Sequence, residues 1–157
     1  MLFEALVKVP NAYLWLAGEG PLRKKLEKQA ERIGVKPRVR FLGWRRDKEA
    51  LFAAADIMVC PSRHEPLGNV IIEAWAQGVP VVAADSSGPK GLIEDGQTGM
   101  LFPVNDDNAL ANAINQLIGS PELGRRLIEK GKENYRLEYS QNIVVDKYMK
   151  LFKKICS

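Results

Sequence analysis

The segment PVVAAD at 80–85 is apolar at every position between its proline and its aspartate. A strand with one wet face alternates apolar and polar residues. A run without alternation is buried on both faces, as in a parallel sheet covered by helices. Two further short apolar runs, AYLWLAG at 12–18 and IMVCPS at 57–62, have the same character, and RVRFLG at 38–43 adds an alternating strand. Amphipathic segments stand between them. In PLRKKLEKQAERIG, 21–34, Leu22, Leu26, Ala30 and Ile33 share one helical face. Pro21 suits the first helical turn and Gly34 the C-terminal cap.

The rest of the chain continues the alternation. DKEALFAAA (47–55) and GNVIIEAWAQG (68–78) read as helices, the first capped by Asp47 and the second closed by Gly78. The stretch 91–104 reads as a helical turn, a glycine-rich turn and the strand MLF. Helices follow over 106–120, from Ser120 through 139, and over 140–154, the last with Val144, Tyr148, Leu151 and Ile155 on one face. Strand and helix in strict alternation predict an α/β domain, a Rossmann-like doubly wound parallel sheet with helices on both faces. The 157 residues, 46% hydrophobic and 27% charged, suit one domain with a sizeable core.

Charge and cysteine content narrow the chemistry. The formal net charge of +4 comes from 23 basic and 19 acidic residues, with only RKK at 23–25 and WRR at 44–46 clustered. That pattern argues against nucleic acid as a partner. It leaves a mildly basic surface suited to a phosphate-bearing ligand or to peripheral contact with an anionic membrane face. Cys60 and Cys156 lie far apart with no ligand spacing around them, so no metal site is expected. Cys60, Trp15 and Trp75 read as core residues. No secretory leader or membrane-length apolar run is visible, and the expected location is cytoplasmic, with contact at the inner membrane face.

In open α/β sheets ligands bind beyond the carboxyl ends of the strands. The residues there are Gly18 to Gly20, Gly43 to Arg46, Ser62 to Asn69 and Asp85 to Lys90. The third group is the most informative. The N–H groups of Leu67, Gly68 and Asn69 would project from a helix start, a site for anions or hydroxyls. Glu65 and Glu73 flank that start, eight residues apart. Glu73 has a structural reading beside the functional one, since an acid early in a helix is favoured by the dipole. Glu65 precedes the cap and has no such reading. Two carboxylates around one helix start can hold two sugars by their diols. A glycosidase pair remains open on these residues alone.

The run PSRHEPLGNVIIEAWAQGVPVVAADSSGPKGLIEDGQTGMLFPV closely resembles the nucleotide-sugar-binding half of retaining glycosyltransferases of family 4 (group 1), with the GT-B fold. Glu65 and Glu73 fill its Glu-x7-Glu motif, and AGEGPLRKKLEKQAERIG, VRFLGW and AAADIMVCPS match earlier segments in order. The resemblance implies that Glu65 contacts hydroxyls of the donor sugar; His64, the lone histidine, is placed by its position beside Glu65 to touch the sugar or the leaving oxygen. The resemblance implies that Glu73 binds the ribose diol and that Leu67 and Gly68 give N–H groups to sugar and diphosphate. Gly43 and Trp44 would lie along the base, while Gly18 and Gly20 let the chain turn close to the ligand. The plainer reading of His64 is an ordinary loop side chain.

The resemblance implies transfer of a hexose from a nucleoside diphosphate sugar to a glycan or lipid hydroxyl in glycan biosynthesis, with no metal or other cofactor. It also marks departures. The family's first strand and its Arg and Lys on the diphosphate have no counterpart, since residue 1 falls in the helix that follows them. Lys90 and Arg45 are the cations at hand, with surface roles as the simpler reading. Residues 1–157 are thus expected to be a single donor domain whose N-terminal acceptor domain is absent, inactive alone, and dependent on that domain or on self-association. Two rival readings are a non-catalytic nucleotide-sugar-binding module and a sugar-nucleotide epimerase. The epimerase needs acids and bases from a cleft between two domains.

Overall fold

The computed structural model describes residues 1–156, which form eight α-helices and five strands, alternating as far as α6. The order begins α1 (Leu2–Val7), β1 (Leu14–Ala17), α2 (Arg23–Arg32), β2 (Val39–Gly43), α3 (Lys48–Ala53) and β3 (Met58–Cys60). It continues α4 (Asn69–Gln77), β4 (Val81–Ala84), α5 (Ser87–Leu92), β5 (Met100–Phe102), α6 (Asp107–Gly119), α7 (Pro121–Asn134) and α8 (Gln141–Ile155). Every strand pair is parallel, as the unalternating apolar runs require.

β4 shows why its sequence has no polar face. All four of its residues are buried. Val82 and Ala84 join a core with Phe102, Leu110, Leu117 and Leu127. Val81 and Ala83 join a second core, on the other face, with Met58, Ile71, Trp75 and Ile93. Trp75 is 1% exposed, and its indole N–H donates to the Thr98 carbonyl at 2.7 Å. Burying the ring without that acceptor would leave a costly orphan donor.

The sheet is divided. β1 pairs with β2 alone, and β3–β4–β5 form a separate sheet. The strands flanking the expected position of a first strand do not close up on one another. α1 spans the division: Phe3 and Leu6 pack with Ala30, Val35 and Val39 beside the two-stranded sheet. Ala5 and Val9 of the same segment pack with the three-stranded side. Lys8 is ion-paired with Asp107 at the start of α6, which fastens this bridge from outside.

Three elements differ from the sequence expectation. Trp15 is not core: it is 43% exposed, because it lies on a strand open along one edge. α5 is a full short helix over Ser87–Leu92 where one turn from residue 91 was expected. Gly88, Pro89 and Gly91 mask it, since glycine and proline disfavour helix interiors and only Pro in the first turn is tolerated. The helix expected to run through 139 gives way to a π-helical turn, Tyr135–Tyr139, which brings both tyrosines against the Trp75 core.

Candidate functional site

The carboxyl ends of β1 and β2 are tied together by glycine geometry. Gly18 has φ +133° and Gly43 has φ +70°, both in the region that side chains avoid. The Gly18 N–H donates to the Gly43 carbonyl at 2.7 Å. A Cβ on Gly43 would stand 2.8 Å from the Glu19 carboxylate, which Arg23 holds at 2.6 Å. Gly20 sits in open space and its carbonyl accepts from the Arg23 N–H at 3.1 Å. Trp44, just past the turn, is 76% exposed.

The loop after β3 leads into α4, and Gly68 at φ +88° is the N-cap. The Gly68 N–H donates to Glu65 Oε1 at 3.0 Å. This corrects the expectation that Glu65 lacks a structural role: its carboxylate caps α4. It also means that the Gly68 N–H is engaged, not open. The N–H groups of Leu67 and Asn69 have no partner among the described residues. Leu67 and Asn69 are exposed, as is His64, which makes no hydrogen bond among the described residues.

Glu73 is the fifth residue of α4, one turn deeper than a dipole-favoured first-turn acid. Its Oε1 lies 2.7 Å from Lys48 Nζ, at the first residue of α3. The Glu73 carboxylate accepting from it raises the Lys48 ammonium above its ordinary pKa. Lys48, Glu73, Pro61 and Val70 border the cleft between β1 and β3. The Glu65 carbonyl accepts from the Gly88 N–H at 2.8 Å. The Glu65 carboxylate is thus held at the α4 start, and Glu73 stands one turn into the same helix, bordering the cleft.

Residues outside the sequence expectation complete this region. A Cβ on Gly88 would fall 2.4 Å from the Glu65 carbonyl oxygen and 2.8 Å from the Leu67 backbone. Only glycine lets α5 back onto the loop that carries Glu65. Lys48 lies 25 residues from its partner, so no local pattern reveals the pair. Ser86, at the N-cap of α5, is buried with its hydroxyl unpartnered among the described residues. The two cations considered from sequence are committed elsewhere: Arg45 makes two hydrogen bonds to Asp47, 2.8 and 2.5 Å, and Lys90 meets Asp85 at 3.4 Å. Among the described residues no three His, Cys, Asp or Glu side chains gather as a metal-ligand group. Among the described residues no helix is long and apolar enough to cross a membrane.

An α/β domain of two small parallel sheets with surrounding helices is one half of a Rossmann-like GT-B fold. The family model described as glycosyl transferases group 1 matches residues 1–134, and the chain belongs to that family. It is 43% identical over 150 residues to the lipopolysaccharide core biosynthesis glycosyltransferase LpsE of Rhizobium meliloti, covering 96% of this chain and 44% of LpsE. The crystal structure of HepE of Anabaena in complex with UDP superposes with a TM-score of 0.92 at 30% identity, over 98% of this chain and 44% of HepE. HepE in complex with UDP-glucose gives 0.90 with the same identity and coverage. The chain spans less than half the length of these relatives.

Proposed function

We propose that this chain is the C-terminal, donor-binding half of a retaining glycosyltransferase that moves a hexose from a nucleoside diphosphate sugar to a glycan or lipid hydroxyl. The observation that carries the reading is that one helix, α4, brings together Glu65 at its start and Glu73 one turn further in. The family membership and the UDP and UDP-glucose bound by HepE support the ligand class. The role of LpsE in lipopolysaccharide core synthesis supports a glycan or lipid-glycan acceptor.

Glu73 takes the ribose diol and, in doing so, shares or releases Lys48, whose ammonium then faces the diphosphate. Glu65, with His64 beside it, takes the sugar hydroxyls. The N–H groups of Leu67 and Asn69 meet the diphosphate, and Gly68 joins them when the Glu65 carboxylate turns to the sugar. In transfer the bond between the anomeric carbon and the diphosphate oxygen breaks, a bond to the acceptor oxygen forms with retention, and the acceptor hydroxyl's proton passes to the departing diphosphate oxygen. Charge developing on the departing diphosphate is met by the helix-start N–H groups, donors fixed before the reaction. Gly18, Gly20 and Gly43 leave room for backbone beside the nucleotide, and Trp44 covers the base.

Calorimetric titration of the 157-residue chain with UDP-glucose tests the reading. Saturable 1:1 binding that persists in a chelator is the expected result, since the diphosphate is held by N–H groups and ammonium. Absence of binding, or binding that a chelator abolishes and magnesium restores, would count against it.

A further inference from the structure

We propose that Lys48 is a positioning residue for the nucleotide's ribose. It holds the Glu73 carboxylate in place while that carboxylate takes the diol, and so makes the site prefer a ribonucleotide to its 2′-deoxy counterpart. This rests on the donor-binding reading, in which Glu73 shares or releases Lys48 as the ribose arrives, and decides for sharing.

The pair is brought together by two helices that are fixed for other reasons. Ile71, Ala74 and Trp75 on the back of α4 are buried. That leaves Glu73 on the opposite face, where it borders the cleft with Lys48. α3 is anchored by Phe52, which packs against the same core as Trp75. The turn into α3 is fixed by Arg45, which forks onto the Asp47 carboxylate with hydrogen bonds of 2.8 and 2.5 Å. From the first residue of α3, Lys48 Nζ then reaches Glu73 Oε1 at 2.7 Å. Glu73 Oε2 has no hydrogen-bond partner among the described residues.

An ionised carboxylate offers about four lone-pair sites on its two oxygens. The ammonium occupies one of them, on Oε1. A vicinal diol needs two, so the unpartnered Oε2 and the second site on Oε1 take both hydroxyls with Lys48 still in place. Its staying acts in two ways. A glutamate free to rotate gives up rotamer freedom when it grips a ligand. One already pinned by an ion pair gives up less, and its acceptors are oriented before the diol arrives. The ammonium also neutralises the carboxylate, so a ligand carrying a diphosphate does not approach an uncompensated anion. The first effect works only through hydroxyls and separates ribose from deoxyribose. The second works alike on any diphosphate. The pair is a surface one, with side chains 54% and 39% exposed, and pairs of that kind contribute little to stability. Holding the fold together therefore does not account for it.

The test is calorimetric titration of the 157-residue chain, of K48M, of E73Q and of the double variant, each with UDP and with 2′-deoxy-UDP. The unaltered chain should prefer UDP by about tenfold or more, the equivalent of one hydrogen bond to a charged group. In K48M the preference should fall below about threefold, because the acid is no longer oriented. E73Q should lower it as well, and the double variant should show the preference of E73Q alone, since Lys48 acts through the acid. Taking the ratio of the two ligands within one variant cancels any change in folding and any effect of Lys48 on the diphosphate. An unchanged preference in K48M would overturn the inference and leave the donor-binding reading standing. So would a further fall when K48M is added to E73Q, because Lys48 would then meet the ribose itself. Equal binding of the two ligands by the unaltered chain would take the ribose away from Glu73 and overturn the inference too. Failure of the unaltered chain to bind UDP at all would instead overturn the donor-binding reading, and this inference with it.

Discussion

Glu65 carries two duties that its position in the sequence does not reveal. Its carboxylate caps α4 through the Gly68 N–H, and its carbonyl receives the Gly88 N–H. Glu65→Ala should cost about 0.5–1.5 kcal/mol of stability through the lost hydrogen bond to the Gly68 N–H. Glu65→Gln keeps an acceptor oxygen and should cost less; denaturant midpoints of the two variants measure the difference. Gly88→Ala places a methyl group against fixed backbone and should destabilise by about 1–3 kcal/mol, read from the same midpoints. The importance of Gly88 was hidden because the close approach joins segments more than 20 residues apart, a contact no local pattern encodes. Gly18, Gly43 and Gly68, by contrast, were legible at strand ends and a helix start, where chain direction changes and positive φ is needed. The Lys48–Glu73 pair was illegible for the same reason as Gly88: it joins two helices across the fold.

Elements with a strong period were legible almost to their ends. The helix expected over 106–120 is α6, Asp107–Gly119, with Asp106 accepting from the Ala109 N–H at 2.9 Å. The apolar face of α8 was legible too, but not what covers it. None of its residues is buried, and Tyr148, Leu151 and Ile155 are exposed at 58%, 49% and 69%. Periodicity reports that a face exists, not that these 157 residues cover it. Truncation after Tyr139 should therefore leave a cooperative melt with little loss of Tm. α1 is the opposite case, six residues that join two cores. Its tie to α6 depends on pH. The Lys8 ammonium holds the Asp107 carboxyl below its usual value of 3.8. The pair therefore contributes stability above the ordinary carboxylate pKa and loses it as pH falls through the lowered one. Asp107→Asn should remove that part of the acid-side decline, seen as a flatter dependence of Tm on pH below about 4.

At the scale of the molecule, two parallel sheets face one another across an open slot, bridged by α1 and walled by α3, α4 and α6. The doubly wound pattern was legible because each strand is apolar on both faces. The division itself was not legible, since no periodicity shows whether two strands will pair. They do not, and Trp15 stays exposed as a result. Gly43 and Trp44 lie at the carboxyl end of the two-stranded sheet, and the α4 start follows the carboxyl end of β3 in the other. The central claim is that two acids divide one ligand between them. Glu73→Ala should weaken UDP and UDP-glucose alike, by about 10- to 150-fold, the equivalent of 1.5–3 kcal/mol for a lost charged hydrogen bond. Glu65→Gln, which retains a capping oxygen, should weaken UDP-glucose and leave UDP within about twofold. Calorimetry of both variants with both ligands measures this directly: a loss confined to the sugar-bearing ligand for Glu65 and shared for Glu73 is the predicted result, and equal losses of plain UDP in the two variants would contradict it.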